Sequence, residues 1–355
     1  MKNLKLAAVC LSCLTMTGCS ALNFSVEGLI NAPKLTSEQS EIHQALIESV
    51  GSNITLKYPK NGEYRSAYVI ANIDDEPTDE AMVFYEYTSN GSEEDGLRVN
   101  ILDKDEDGKW YSVKELAGAG TDIDQVIISP MGSNNQTDVF VGYQNLTNDE
   151  KTMEIYSYTD GDFKRVALDT YSVLEPLDIN NDGYIELITI QRSTNNDTGA
   201  VTAKASMLNM KNNEITRGEN VDMCDNVTSY VSSKTGMLDS GRRAIFIDGL
   251  TADGKLQTEI IYYRYSGLQN PMQLRSEKLL PLCTRPAGYY SEDMDGDGDV
   301  EIPSTSPMVG YENAVADEML YMTTWSVYED FYDLKTKYTG YYGEKAQRHK
   351  RACFL

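Results

Sequence analysis

The feature that most constrains this chain is a period. Five positions stand just ahead of an apolar run: Glu80, Asp138, Glu186, Arg242 and Glu301. Their successive separations are 58, 48, 56 and 59 residues. Around each, one order repeats: an apolar run, a polar loop, a second apolar run, then a hairpin. The first unit shows it most fully, with Tyr68-Val69-Ile70-Ala71, a loop, Met82-Val83-Phe84-Tyr85, Arg98 to Leu102, a turn at Asp107-Gly108, and Trp110 to Leu116. The second repeats it with Val126-Ile127-Ile128, Val139 to Tyr143, Met153 to Tyr158, a turn at Asp160-Gly161, and Phe163 to Leu168.

Short β-branched and aromatic runs separated by Asp-Gly and Ser-Gly turns read as strands. The 24 tyrosines suit half-buried pleated surfaces. Nothing alternates strands with long helical patterns, which argues against a parallel α/β sheet. Four strands at a period near 50 residues is the signature of propeller blades. The expected fold is all-β: a β-propeller-like array of about five four-stranded blade units over residues 54–343, with one N-terminal helix. Leu35 to Gly51 is that helix. Thr36 can cap it, Gln39 completes a capping box, and Ile42, Leu46, Ile47 and Val50 form its apolar stripe. A β-sandwich whose acidic loops are solvated turns is the competing architecture.

Three of the loops are acidic in a fixed pattern. Asp293-Met294-Asp295-Gly296-Asp297-Gly298-Asp299-Val300-Glu301 places side-chain oxygens at positions 1, 3, 5 and 9 with glycine at 6. Alternate carboxylates then converge on one centre, the glycine permits the sharp turn, and the carbonyl of position 7 adds a ligand. Asp178-Ile179-Asn180-Asn181-Asp182-Gly183-Tyr184-Ile185-Glu186 is a second copy. Asn72 to Glu80 is a degraded third, with Asn72 at the leading position and Pro77 in place of the glycine. The second and fourth units lack such a loop. Asp103 to Gly108 has acids at alternate positions, but Tyr111 stands where the ninth-position ligand belongs, so it reads as a charged hairpin turn.

These loops, leading into runs such as Leu187-Ile188-Thr189-Ile190, resemble the calcium loops of FG-GAP/VCBS-type repeats in integrin-α-like β-propellers. The resemblance spans residues 54 to about 335 and is strongest at the two intact loops. It implies Ca2+ held structurally by Asp178, Asn180, Asp182 and Glu186 with the Tyr184 carbonyl, and by Asp293, Asp295, Asp297 and Glu301 with the Asp299 carbonyl. The Phe-Gly and Gly-Ala-Pro landmarks of that family are not evident.

The N-terminus points to export. Lys2 and Lys5 precede an apolar stretch from Leu6 to Met16, of secretory length and too short to span a bilayer. It ends at Met16-Thr17-Gly18-Cys19-Ser20, which resembles the lipobox of bacterial lipoproteins. The expectation is a signal peptide over 1–19, a lipid on Cys19, a tether over 20–34, and residence at the extracytoplasmic face of a cell membrane. Cys224, Cys283 and Cys353 are read as isolated thiols, with a Cys224–Cys283 disulfide as the alternative. Residues 344–355 are locally basic and read as a solvated tail.

Composition narrows the chemistry. A formal charge of -24, from 55 acids against 31 bases, argues against nucleic acid. The two histidines, His43 and His349, exclude a histidine-based centre between residues 60 and 340. There is no Gly-x-Ser-x-Gly elbow and no phosphate loop. Core packing is the preferred use of Trp110, Trp325, Tyr289, Tyr290, Tyr341 and Tyr342, although all can stack on sugars. The functional expectation is therefore non-enzymatic: a calcium-stabilised surface binding or scaffold module with an unidentified protein or glycan ligand. The competing class is a surface enzyme acting on polysaccharide or peptide through propeller-face carboxylates. A concave pocket with two carboxyl groups about 5–9.5 Å apart would favour the enzyme.

Overall fold

The computed structural model describes residues 35–74, 76–88, 96–130, 137–145, 150–194, 201–211, 214–314, 320–329 and 333–343. Cys19, the segments 1–19 and 20–34, and the tail 344–355 lie outside the described residues. Two compact units divide between Gln44 and Ala45, inside the first helix. That helix, α1, spans Ser37–Val50. Its capping box forms as spaced: the Gln39 N–H donates to Thr36 Oγ1 and the Thr36 N–H to Gln39 Oε1, both at 3.1 Å. Ile42 and Leu46 are fully buried. At the other end Gly51, with φ +84°, donates to the Ile47 carbonyl; a left-handed residue there is what glycine supplies at low cost.

The strands among the described residues form five antiparallel sheets in chain order. The first holds β1 (Ile54–Leu56), β2 (Tyr68–Ala71), β3 (Glu80–Tyr87), β4 (Leu97–Lys104) and β5 (Trp110–Ala117). The second holds β6 (Asp122–Pro130), β7 (Thr137–Gln144), β8 (Lys151–Thr159) and β9 (Asp162–Tyr171). The third holds β10 (Val173–Leu177), β11 (Glu186–Thr194), β12 (Val201–Lys211) and β13 (Glu214–Asp222). The fourth holds β14 (Val227–Met237), β15 (Arg243–Thr251), β16 (Lys255–Arg264) and β17 (Gly267–Gln269), with β18 (Thr284–Pro286) beside β16. The fifth holds β19 (Ile302–Pro307), β20 (Leu320–Glu329) and β21 (Asp333–Gly343).

The all-β, propeller-like expectation holds, and each acidic loop leads into a strand, β3, β11 or β19, the last buried only at Ile302 and Pro303. Only the second and third sheets have the uniform four strands. In the first, β1 and β2 lie end to end along β3, so Ile54–Leu56 belongs to the first sheet. Between β17 and β18 the chain inserts two short helices, α2 (Pro271–Leu274) and α3 (Ser276–Cys283). Asn270 caps α2 and Pro271 opens it. Nothing in the repeat announces this insertion, because α3 is short and carries Pro281.

Strand alternation explains how the sheets stack. Successive side chains point to opposite faces. On β7, Val139 and Val141 join a core with Phe84 and Val99 of the first sheet. Phe140, between them, packs with Leu174 and Leu187 of the third. On β15, Ile245 and Ile247 face the third sheet, whereas Ala244 and Phe246 pack with Ile302 and Tyr328 of the fifth. Each central strand is thus apolar on both faces, which is why these stretches read as unbroken apolar runs. Cys224 and Cys283 are free, buried thiols in the last of these cores.

Candidate active site

The first strands of the second, third and fourth sheets, β6, β10 and β14, surround a cavity of about 640 Å³. Such volumes suit small organic ligands. Each of these strands pairs with only one neighbour, so its free edge faces inward. The segment from Asn61 to Arg65 closes one side, where the backbone N–H groups of Lys60 and Asn61 donate to the Ile123 and Asp124 carbonyls.

Asp124 is placed by an irregularity. The register of β6 on β7 slips between Ile123 and Gln125, leaving Asp124 as the extra residue of a bulge. Bulges re-aim side chains in this way. The carboxylate is 2% exposed. It accepts Asn61 Nδ2 at 2.8 Å, Lys151 Nζ at 2.9 Å and the Tyr171 hydroxyl at 2.7 Å. Tyr171 reaches it only because position 142 on β7 is glycine: a Cβ there would overlap the tyrosine hydroxyl.

Glu175 lies on β10, between Leu174 and Pro176. The Ser233 hydroxyl of β14 donates to it. Burial pushes its pKa up, the Ser233 hydrogen bond opposes that, the charge of Asp124 raises it further, and Lys151 and Lys234 offset part of the rise. Gln125 Nε2 ties the two strands by donating to the Leu174 carbonyl at 2.8 Å. The cavity therefore presents one carboxyl held toward its protonated form and one carboxylate held by an ammonium, an amide and a phenol.

None of Asp124, Lys151 or Glu175 was singled out in the sequence. Asp124 meets Asn61 and Tyr171 across 63 and 47 residues, and Glu175 meets Ser233 across 58, separations that no local pattern records. The available signal was weak: an acid inside the apolar run Val173-Leu174-Glu175-Pro176-Leu177.

The acidic loops form elsewhere and share one internal design. The backbone N–H of position 2 donates to the final glutamate: Ile73 to Glu80 at 2.8 Å, Ile179 to Glu186 at 3.0 Å, Met294 to Glu301 at 2.8 Å. The position-7 N–H donates to position 5, Tyr184 to Asp182 at 2.9 Å and Asp299 to Asp297 at 3.0 Å. Asp178 and Asp293 each accept loop N–H groups.

What meets the converging oxygens differs. At Asn72–Glu80 the Asn72 amide donates to the Glu76 and Thr78 carbonyls. At Asp178–Glu186 the Asn180 amide donates to Asp182 and Glu186, both at 2.9 Å, and Asp178 turns to Arg243 at 2.8 Å. At Asp293–Glu301, Lys337 Nζ lies 3.1 Å from Asp295, 2.5 Å from Asp297 and 2.7 Å from Glu301, and Tyr338 donates to Asp295. Burial lowers the Lys337 pKa, but the three carboxylates outweigh it and hold the ammonium above its usual range. One oxygen from each of Asp293, Asp295 and Asp297 lies within 4.8 Å of the others. An all-oxygen set of this spacing fits a hard divalent cation. Asp103 to Gly108 forms a hairpin turn in which Asp105 accepts the N–H groups of Asp107 and Lys109.

No protein-family model matches the sequence, and comparison with curated proteins gives no match. Among solved structures, the chain is similar to a candidate 6-phosphogluconolactonase from Bacteroides fragilis. The identity is 10%, the TM-score 0.34, and 85% of this chain and 93% of that one are covered. It is similar to rhamnogalacturonan lyase YesW, at 9% identity and TM-score 0.34, covering 81% and 68%. It is also similar to the periplasmic gluconolactonase of Pseudomonas aeruginosa, at 10% identity and TM-score 0.27, covering 80% and 88%. Likeness at this level transfers no substrate to the present chain. The expectation of a non-enzymatic binding or scaffold module is corrected here: the similar structures are described as enzymes. Among the described residues no helix is long and apolar enough to cross a membrane.

Proposed function

We propose that this chain is an enzyme that hydrolyses a glycosidic bond in a carbohydrate bound between the second, third and fourth sheets. The supporting observation is that one cavity is lined by both a buried carboxyl, Glu175, and a carboxylate, Asp124, held by Asn61, Lys151 and Tyr171. Glu175, whose pKa burial and the neighbouring negative charge raise, gives its proton to the leaving oxygen as the glycosidic bond breaks. Asp124 takes a proton from the attacking water. A carboxylate offers about four acceptor positions. Asn61, Lys151 and Tyr171 fill three of those on Asp124, which leaves one for the water. Hydroxyl and amide groups of Gln125, Ser129, Ser172 and Ser232 line the walls with Tyr64 and Tyr230, a lining suited to a polyhydroxylated ligand.

The test is release of reducing ends from a panel of glycans by the full chain and by folded Glu175→Gln and Asp124→Asn variants. Loss of proton transfer should lower the rate by about 10²–10⁴. Cleavage by both variants at the wild-type rate, or no cleavage by the folded wild type, would remove the proposal.

We further propose that calcium stabilises the two intact loops, in the manner of FG-GAP/VCBS-type repeats, and that Cys19 anchors the chain at the outer face of a membrane. Asp178, Asn180, Asp182 and Glu186 with the Tyr184 carbonyl would hold one ion. Asp293, Asp295, Asp297 and Glu301 with the Asp299 carbonyl would hold the other, in place of the Lys337 ammonium. The ion would supply cross-linking of loop to strand. The catalytic carboxylates belong to the cavity.

A further inference from the structure

The cations of this fold are nearly all spoken for. Lys57 pairs with Glu86, Lys114 with Asp162, Arg217 with Asp169, Arg285 with Asp248 and Lys337 with Glu301. With 55 acids against 31 bases, a lysine or arginine without a carboxylate is the exception. Arg65 and Lys234 are two such exceptions among the described residues, and both line the cavity. The only hydrogen bond Arg65 makes is from Nε to the Gly62 carbonyl at 3.2 Å, which leaves its terminal nitrogens free. The Lys234 ammonium has no side-chain hydrogen bond; its charge acts on Glu175, which the neighbouring Ser233 holds. The third cation of the lining, Lys151, is already committed to Asp124.

The lining sets three acids, Glu63, Asp124 and Glu175, against three bases, Arg65, Lys151 and Lys234, a balance that contrasts with the chain's net charge of -24. Of the lining cations, Arg65 on the Asn61–Arg65 segment and Lys234 on β14 have no hydrogen-bonded carboxylate. Neutral sugars give no reason for that arrangement, since hydroxyl and amide groups serve them. A guanidinium is a planar fork matched to carboxylate, and an ammonium adds a point charge. In a protein of net charge -24, an anionic ligand is otherwise repelled from the surface. Unpaired cations at the cavity are what would admit it.

We infer that the substrate is an acidic glycan, one bearing carboxylate groups as uronic-acid residues do, and that Arg65 and Lys234 are its specificity-determining residues. The inference rests on the catalytic reading of the same cavity. Neither side chain takes part in bond breaking; each binds a charge beside the reacting sugar.

The test measures binding separately from turnover. Calorimetric titration of folded full-chain Glu175→Gln would compare oligogalacturonate, a neutral galactose oligomer of equal length, and a sulfated one. The same titrations would be run with Arg65→Gln and Lys234→Gln added. Oligogalacturonate should bind about tenfold or more tighter than the neutral oligomer, a preference that added salt reduces. Each added substitution should cost about five- to tenfold against oligogalacturonate and leave the neutral oligomer unchanged. Equal binding of acidic and neutral oligomers, or no loss in either variant, would overturn the acidic-substrate inference. Hydrolysis of neutral glycans that depends on Glu175 would then still uphold the catalytic reading. Tighter binding of the sulfated oligomer would overturn the assignment to carboxylate. No binding of any glycan, together with no hydrolysis, would overturn both.

Discussion

The carboxylates of the cavity and those of the acidic loops are held by opposite means. In the loops, backbone N–H groups from within nine residues shape the carboxylates, Glu301 by Met294 N–H, Asp293 by the N–H groups of Gly296 and Gly298, Asp297 by Asp299 N–H, and Arg243 or Lys337 meets them from outside. In the cavity, Asp124 is held by Asn61, Lys151 and Tyr171, and Glu175 by Ser233, all from other segments of the chain. The loops gather charge locally, and the cavity brings its two carboxyl groups together through tertiary structure. The difference teaches that acid density and placement in a cavity are separate properties here: the densest acids sit in loops, and the sparse ones line the cavity.

The comparison breaks most visibly at Glu175. Glu175→Gln should cost about 10²–10⁴ in hydrolytic rate, whereas Asp182→Ala, at a loop, should leave the rate of the folded protein near wild type; steady-state assays of both at saturating calcium check this. Next in size is Gly142→Ala. Its methyl would overlap the Tyr171 hydroxyl that holds Asp124, and overpacking of this kind costs about 1–3 kcal/mol. Denaturant unfolding reads the cost, and a conservative Tyr171→Phe variant should relieve part of it.

Calcium sharpens the loop side. Addition of about 2 mM calcium, within the range that extracellular modules require, should raise the melting temperature, and Asp182→Ala should remove part of the rise. Lys337→Met should strengthen calcium binding at the last loop by about tenfold, because it removes a cation already seated among Asp295, Asp297 and Glu301. Isothermal titration reads both. Unchanged affinity in Lys337→Met would mean that the ammonium and the ion do not compete.

The smallest effect concerns the degraded loop. Glu80 is buried, and desolvation pushes its carboxyl up to about 7, with Asp74 and Asp103 adding and the Ile73 N–H opposing. A carboxyl whose folded pKa lies above its unfolded value stabilises the fold most when protonated. Stability should therefore decline as pH rises from about 4.5, the unfolded value, to about 7. Glu80→Gln should flatten that window, as read by urea midpoints at pH 5 and pH 7.5. An unchanged slope would show that Glu80 is ionised throughout.

Legibility in the sequence follows the same division. The period, the strand order, the capping box at Thr36 and Gln39 and the grammar of the loops were all readable, because each depends on residues close in the chain. The insertion of α2 and α3 was not, because two helices of 4 and 8 residues leave no periodic trace. The occupant of the last loop was not, because Lys337 comes from 36 residues beyond Glu301. The cavity was hidden most completely: its bulge at Asp124, its glycine beneath Tyr171 and its carboxyl on β10 have meaning only once three sheets stand side by side.

The most direct measurement is the pH dependence of kcat/KM for hydrolysis of an acidic oligosaccharide by the wild type and by Glu175→Gln. The wild type should give a bell whose alkaline limb reports loss of the Glu175 proton, above the ordinary carboxyl value of 4.5. Glu175→Gln should lose that limb along with most of the activity. An identical bell in the variant would contradict the assignment of Glu175 as the acid and, with it, the catalytic reading of the cavity.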